Sequence, residues 1–513
     1  MLKKCIFTCI NLHMDTLSAL IGLLNEADKK LFRQFLERKN KREDVKNIVL
    51  LDLIITDDID AISKLHQSSK NRDAYHALRK RLQDNLLLFL SQKTFESSHS
   101  DTYEVLRLVV VGRFLLENDL AKIAFKCLDK AERLAQQLEQ FNLLNELLLL
   151  KLQYAHLPEA EQLDTLSARF LHNQEAMQRE AKLNLAYAFL RRELQAIQLG
   201  GKIVRLGSLI ITTIRKYKID AKELMTYKSM YQILFIANEY AAIQQNYALI
   251  ERYIKRTNQF MRDQPAKKSA HLFYQISIVY FLANFQLRRK KFDQSLHYLQ
   301  DMMALMATDS RYYGVFHLRH QLLLSLNLYF IGQAADAIEL LKETLAGAKS
   351  ASKAEDIADL RLSLAMFMAQ CDDRSSLRQL ALLTRTDAWY EKKLGMLWII
   401  RKNLMEILVH AQFENTELAM SRINSFRRRY KKYLRTIAED RVLHYLGLVE
   451  RYLLDPGIAL EPSFQNAVAR MLDSPENTDI FNLSFIAWLM ARWRKKSAYL
   501  ISLELMQHGE ESV

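Results

Sequence analysis

Five prolines and twelve glycines in 513 residues leave this chain few ways to break a helix. Proline costs a helix interior about 3 kcal/mol and glycine about 1 kcal/mol relative to alanine, and both build the turns that strands need. Their scarcity predicts an all-α chain. The prolines themselves agree, because Pro158, Pro265, Pro456, Pro462 and Pro475 all fall in short polar breaks, at His156–Glu161, Asp263–Lys267, Asp455–Pro462 and Asp473–Asp479. Gly200-Gly201 marks a further break and reads as a helix C-terminus, where glycine serves well. Between breaks the apolar residues recur at helical spacing. A chain of this length is too long for one core, since cores stop growing near about 250 to 300 residues, so several packed units or one elongated array are expected. Half of the residues are apolar and 26% are charged, an ordinary balance for a folded protein.

The N-terminal region, residues 14–100, reads as a small helical region. Leu31, Phe32, Phe35 and Leu36 share one helical face, and Tyr75, Leu78, Leu82, Leu86 and Phe89 share another. The run Ile48–Ile55 is rich in β-branched residues and leaves helix and strand both open. Residues 1–13 carry two lysines and a short apolar stretch but no long apolar core or small-residue cleavage site, so they do not read as a signal peptide. Met14 stands just before Asp15, a good N-cap, so residues 1–13 are expected to be an extension upstream of the natural start. The expected intact mass of the native protein is therefore that of a chain beginning at Met14; a mass that includes Met1 rejects this start.

Residues 101–508 are expected to form a helical repeat array, followed by a disordered tail at 509–513. One unit runs Leu108, Val111, Gly112, Leu115, then Ala124, Leu128 and Ala131. A second runs Leu324, Ser325, Leu328, Gly332, then Ala337 and Leu341, and a weaker third Val279, Leu282, Ala283, then Ser295, Leu299 and Met302. A small residue in one helix and alanine or serine in the next let the two approach closely. Ser295 and Ala337 stand 42 positions apart, against 34 in the standard repeat, so the array is irregular. These spacings resemble the tetratricopeptide signature. The segments LNEADKKLFRQFL (Leu24–Leu36) and YHALRKRLQDNLLLFL (Tyr75–Leu90) also resemble the N-terminal part of a bacterial family of long tetratricopeptide-like cytosolic proteins with no established activity. The resemblance implies an irregular α-solenoid of antiparallel helix hairpins and, by analogy, protein or peptide binding. It carries over no catalytic residue.

Gly201-Lys202 lacks the earlier glycine and the following Ser or Thr of a phosphate loop. His317 and His320 stand one helical turn apart, but without a third ligand at metal spacing they read as ordinary helix residues. The carboxylates Asp57, Asp58 and Asp60, and Glu355, Asp356 and Asp359, sit where helices begin and read as capping charge. Cys5, Cys9, Cys127 and Cys371 are too scattered for a disulfide framework or a zinc site, which fits a reducing, cytoplasmic setting. No enzymatic activity and no cofactor are expected, and no window is apolar for long enough to span a bilayer.

The net charge of +14 admits acidic partners without selecting one. On one helix Arg422, Arg427, Arg428, Arg429, Lys431 and Lys432 fan out opposite an apolar stripe of Ala419, Ile423, Phe426, Tyr430 and Leu434. Smaller basic clusters lie at Arg288–Lys291 and around Trp493. A solvated helix face explains such charge more simply than phosphate binding, so nucleic acid is the secondary expectation. The primary one is an interaction scaffold. Inner positions of the repeats offer Arg113, Tyr280, Asn284, Arg319 and Tyr329 to a protein or peptide, a mixed surface suited to a helix or an internal segment.

Overall fold

The computed structural model describes residues 16–22, 24, 26–39, 46–56, 72–97, 101–200, 205–220, 226–244, 247–263, 271–348, 353–437, 439–472 and 479–507. These residues are helices and connections, with no strand among them. Residues 1–13, the Asp57 cluster, Gly201-Lys202, Pro265, Pro475 and the tail at 509–513 lie outside the described set. The chain divides into two compact units, Met1–Leu171 and His172–Val513.

The first unit opens with α1 (Thr16–Gly22), α2 (Glu26–Lys39), α3 (Lys46–Ile55) and α4 (Arg72–Ser97). Their shared core is Leu17, Ile21, Phe32, Leu36, Leu50, Leu51, Tyr75, Leu82, Leu86 and Phe89. Phe32 and Phe89 meet with ring centroids 5.2 Å apart. The α2 face differs in detail from the expectation, since Leu31 is half exposed while Phe32 and Leu36 are sealed. The ambiguous run at 48–55 is helical, its Leu50 and Leu51 buried. Next come α5 (Asp101–Glu117), α6 (Ala121–Gln137) and α7 (Phe141–Gln153), then α8 (Leu163–Gly200), whose first turns belong to this unit. A buried ammonium ties it together: Lys151 Nζ reaches Asp129 at 2.6 Å and buried Glu132 at 2.5 Å, and Arg169 reaches Glu132 at 3.2 Å. A desolvated charge is tolerated inside a protein only with such partners.

The second unit continues with α9 (Leu206–Tyr217), α10 (Tyr227–Gln244), a short 3-10 turn (Tyr247–Ile250) and α11 (Glu251–Asp263). Consecutive hairpins follow. They pair α12 (Leu272–Arg288) with α13 (Phe292–Ala307), α14 (Ser310–Phe330) with α15 (Ala334–Ala346), α16 (Ala354–Gln370) with α17 (Ser376–Ala381), and, after α18 (Asp387–Leu394), α19 (Met396–Gln412) with α20 (Thr416–Thr436). The small residues picked from the sequence lie at the helix crossings. Ser295, Ala337 and Ala283 are fully buried, and Ser295 Oγ donates to the Ala283 carbonyl at 2.9 Å while accepting from Asn327 Nδ2 at 3.0 Å.

One turn recurs in these hairpins. Asp119, Lys290, Gly332, Asp372 and Glu414 all have φ between 60° and 108°, in the left-handed region. After each, the next N–H bonds a carbonyl five residues back: Leu120 to Leu115, Lys291 to Gln286, Gln333 to Leu328, Asp373 to Met368 and Asn415 to His410, at 2.8 to 3.0 Å. This caps the orphan carbonyls of the first helix, and the second helix starts two residues after the left-handed one, or four after Asp372. In the second unit the left-handed residues 290, 332, 372 and 414 recur every 40 to 42 positions.

The row closes with α21 (Asp440–Leu454), the turn Pro456–Leu460, α22 (Pro462–Ala469), α23 (Ile480–Arg494) and α24 (Ala498–Gln507). Pro456 and Pro462 each start a helical segment, where a missing N–H costs nothing. The last hairpin folds back on helices far earlier in the chain. α23 is apolar all round and buries Ile480, Leu483, Ile486, Ala487, Trp488, Leu489, Met490 and Ala491. Gln370 Nε2 donates to the Ser484 carbonyl at 3.3 Å, Tyr499 Oη to the Tyr329 carbonyl at 3.1 Å, and Trp488 Nε1 to Gln412 Oε1 at 2.8 Å.

Two glycine substitutions should have opposite signs. A Cβ at Gly112 would stand 2.6 Å from Leu128 Cδ2 and 2.9 Å from its Cγ, and Leu128 is fully buried. Overpacking should cost about 1–3 kcal/mol and outweigh the gain in helix propensity of about 1 kcal/mol. Gly447, inside α21, has nothing within 4 Å of such a Cβ. Denaturant melts should therefore show Gly112→Ala destabilised and Gly447→Ala equal to the parent or slightly more stable.

Candidate functional site

The first helices of four consecutive hairpins, α12, α14, α16 and α19, lie side by side, each in contact with the next. Because the turns recur at nearly constant spacing, equivalent faces of these helices meet in one wall. It carries Tyr280, Asn284 and Arg288 from α12, Arg319 from α14, Asp356 and Asp359 from α16, and Trp398 and Arg401 from α19. The N-terminus of α23 borders it with Asp479 and Phe481. Asp479 caps that helix, accepting from the Phe481 N–H at 3.0 Å, and its two oxygens take Arg288 Nη1 at 3.0 and 2.7 Å. Arg319 Nε pairs with Asp356 Oδ1 at 3.1 Å, and Trp398 Nε1 donates to Asp359 Oδ1 at 2.7 Å. The Phe481 ring takes two guanidinium groups, Arg288 at 4.4 Å and Arg401 at 5.2 Å from its centroid.

The wall mixes burial with access to water: Asn284, Asp356 and Trp398 are buried, Tyr280, Arg288, Arg319 and Asp359 are half-buried, and Arg401 is exposed. Burial pushes the Tyr280 hydroxyl up to about 12. Burial also raises the Asp359 carboxyl, more than the Trp398 hydrogen bond and the Arg401 charge bring it down, and Asp356 adds repulsion. Arg401 moves the other way, its guanidinium lowered first by burial and then by the like charge of Arg288. Burial would lower Arg288 too, but the attraction of Asp479 outweighs it and leaves Arg288 raised.

Of the inner residues expected from sequence, Tyr280, Asn284 and Arg319 come together here. Asn284 is buried, its Nδ2 donating to Asn238 Oδ1 on α10 at 3.0 Å. Tyr329 is a core residue with no exposed area. It stacks on Phe367 with centroids 3.9 Å apart, donates to Gln370 Oε1 at 2.7 Å and lies under Tyr499 of the last helix. Arg113 belongs to the first unit, on α5, and pairs with Glu146. Sequence reasoning passed over Arg401 and Phe481 and assigned Asp359 to capping. The available signal for Arg401 was a cation inside the otherwise greasy α19 run MLWIIRKNLMEILV, whose flanks Ile399, Ile400 and Lys402 are all buried.

The basic helix α20 keeps its expected apolar stripe, with Ala419, Ile423, Phe426, Tyr430 and Leu434 all buried. Its cations are largely matched from neighbouring helices. Arg422 pairs with Glu406 at 2.6 Å, Arg427 with Glu450 and Arg429 with Glu391. Glu406 in turn holds buried Lys402 at 2.7 Å, and Asp387 holds it at 2.8 Å. Arg428, Lys431 and Lys432 face outward.

Among the described residues no group of three or more His, Cys, Asp or Glu is placed to hold a metal, and no helix is long and apolar enough to cross a membrane. His317 stacks on Tyr313 at 4.6 Å, and buried His320 lies with Nε2 3.0 Å from the Leu299 carbonyl. No family model matches the chain, and no curated protein is recognisably similar to it.

Burial lowers the pKa of His317, His320 and His410, in His320 despite the opposing Leu299 hydrogen bond. A histidine held neutral in the fold binds fewer protons than in the unfolded chain. Its contribution to stability is thus complete above the ordinary value of about 6.5 and drains away as the pH falls through it. The melting temperature should be lower at pH 5.5 than at pH 7.5. His320→Gln, which keeps a donor for the Leu299 carbonyl, should show a smaller drop between the two.

Proposed function

We propose that this chain is a non-enzymatic interaction scaffold of the cytoplasm, built from tetratricopeptide-like hairpins, that receives a peptide or helical segment of a protein partner along the wall of α12, α14, α16 and α19. The observation that carries this reading is the convergence of Tyr280, Arg319, Asp356, Asp359, Trp398 and Arg401 from successive hairpins onto one face, with Arg401 exposed on it. Repeated helices that present equivalent faces side by side offer a ladder of contacts, and an extended or helical segment can meet each rung in turn. Mixed aromatic and charged side chains in such a place suit recognition, since aromatic and arginine anchors carry much of the energy of protein interfaces. The last hairpin covers Tyr329, so the open stretch available to a partner is the part near Arg319 and Arg401.

A photo-crosslinking residue at position 319 tests the reading in cells that express the protein natively. Discrete protein adducts are expected from position 319 and none from position 342, an exposed site on the second helix α15. The absence of adducts at 319, or the same adducts from both positions, would remove its support.

A further inference from the structure

The helix that pairs with α19, α20, carries its charge in two separable sets. On one flank Arg422 meets Glu406 of α19 and Arg429 meets Glu391 of α18; on the other Arg427 meets Glu450 of α21. Helical spacing sets the remaining cations apart. Arg428, Lys431, Lys432 and Arg435 stand at i, i+3, i+4 and i+7, on the face opposite the buried stripe from Ala419 to Leu434. All four are exposed. Among the described residues Arg428, Lys431 and Lys432 form no ion pair, and Arg435 has only Asp440, exposed as well, at 3.9 Å.

Helix stability does not call for such a crest. Like charges three and four residues apart repel and weaken a helix. The helix dipole favours cations in the last turn, which accounts for Arg435 but not for the three that precede it. An ordinary solvated face interleaves carboxylates with its cations, whereas the one acidic residue of α20, Glu417, stands in its first turn.

Toward that turn the crest continues as Ser421, Asn424 and Ser425, all exposed. From Ser421 to Arg435 it presents only hydroxyl, amide, ammonium and guanidinium groups, each of which donates to phosphate oxygens. The same composition separates the possible anionic partners. Docking on a lipid surface draws on apolar side chains beside the cations, and a protein interface is held by buried aromatic or arginine anchors seated in pockets. A single-stranded nucleic acid needs exposed rings on which its bases stack. The crest has no ring, no apolar side chain and no pocket. A duplex backbone asks for charge and hydrogen-bond donors alone, in a polar and strongly positive contact. Arg428 to Arg435 covers about 10 Å of helix, a length over which a duplex carries about six phosphates.

We infer that the outward face of α20 docks on the phosphate backbone of a duplex nucleic acid, without reading its sequence, through Arg428, Lys431, Lys432 and Arg435. This contact lies on the other helix of the hairpin from the wall of α19 and does not depend on the peptide reading.

Fluorescence anisotropy tests it, with labelled DNA and RNA duplexes of about 20 base pairs titrated with the full chain from about 50 to about 200 mM salt. Both duplexes should bind, and the tighter names the source. Four phosphate contacts predict that affinity falls on the order of 100-fold over that range. The triple variant Arg428→Gln, Lys431→Gln, Lys432→Gln keeps one contact and should fall only about fourfold. The triple variant Lys122→Gln, Lys126→Gln, Arg133→Gln removes as many charges from the exposed side of α6 and should behave as the parent. All six positions are exposed, so neither variant disturbs the core. No binding to either duplex, salt dependence as steep in the α20 variant as in the parent, or an equal loss of affinity in both variants would overturn the assignment. Tighter binding to phosphatidylserine vesicles, polyglutamate or a single strand than to the duplexes would overturn it too.

Discussion

A helix that must reverse direction within three residues has to satisfy its last carbonyls before the next helix begins, and in this chain a single backbone device does so. The residue at the bend takes a left-handed conformation and the following N–H reaches back five positions. At Asp119, Lys290, Asp372 and Glu414 the bend is not glycine, and a non-glycine residue there costs about 1–2 kcal/mol. The hydrogen bonds of the cap and the buried crossing that follows offset that cost. Everything downstream follows from the constancy of this turn. Similar turns at similar spacing bring the first helices into register, and register turns isolated side chains into a wall.

The same device shows why some of the fold was legible in the sequence and some was not. Helices could be read from apolar spacing and from the placement of proline, and the crossings at Gly112, Ser295 and Ala337 from small residues among large ones. The bends were legible only at Gly332, because Asp, Lys and Glu carry no fixed signature of left-handed geometry. The repeat was therefore visible as scattered units and not as a series. Local faces were read well where one neighbour decides them, as in the stripe from Ala419 to Leu434. They were read less well where packing decides, as at Leu31. Tyr329 was misplaced for a related reason: what covers it comes from Tyr499, and helical periodicity holds no information about a contact 170 residues away.

Charge behaves alike at the wall and on α20. A run of arginines on one helix suggests a positive surface, but Glu391, Glu406 and Glu450 arrive from three other helices and match half of the six cations. At the wall the charges balance as well. Three arginines face three aspartates: Arg288 pairs with Asp479 and Arg319 with Asp356, while Asp359 accepts from Trp398 and still attracts Arg401. An arrangement of this kind could not be read along the chain, since its members stand on four helices and on the cap of a fifth. It emerges only once the hairpins are aligned.

The back-folded C-terminal hairpin has a bearing on how the second unit is made. Arg288, Tyr329 and Gln370 find Asp479, Tyr499 and Ser484 only after more than a hundred further residues have been added. During synthesis the earlier hairpins can close one by one, because each depends on its neighbour. Their common face stays open to water until residues 479–507 leave the ribosome. For most of its elongation time the nascent chain thus displays greasy helices with no cover, the condition in which chaperones are most needed.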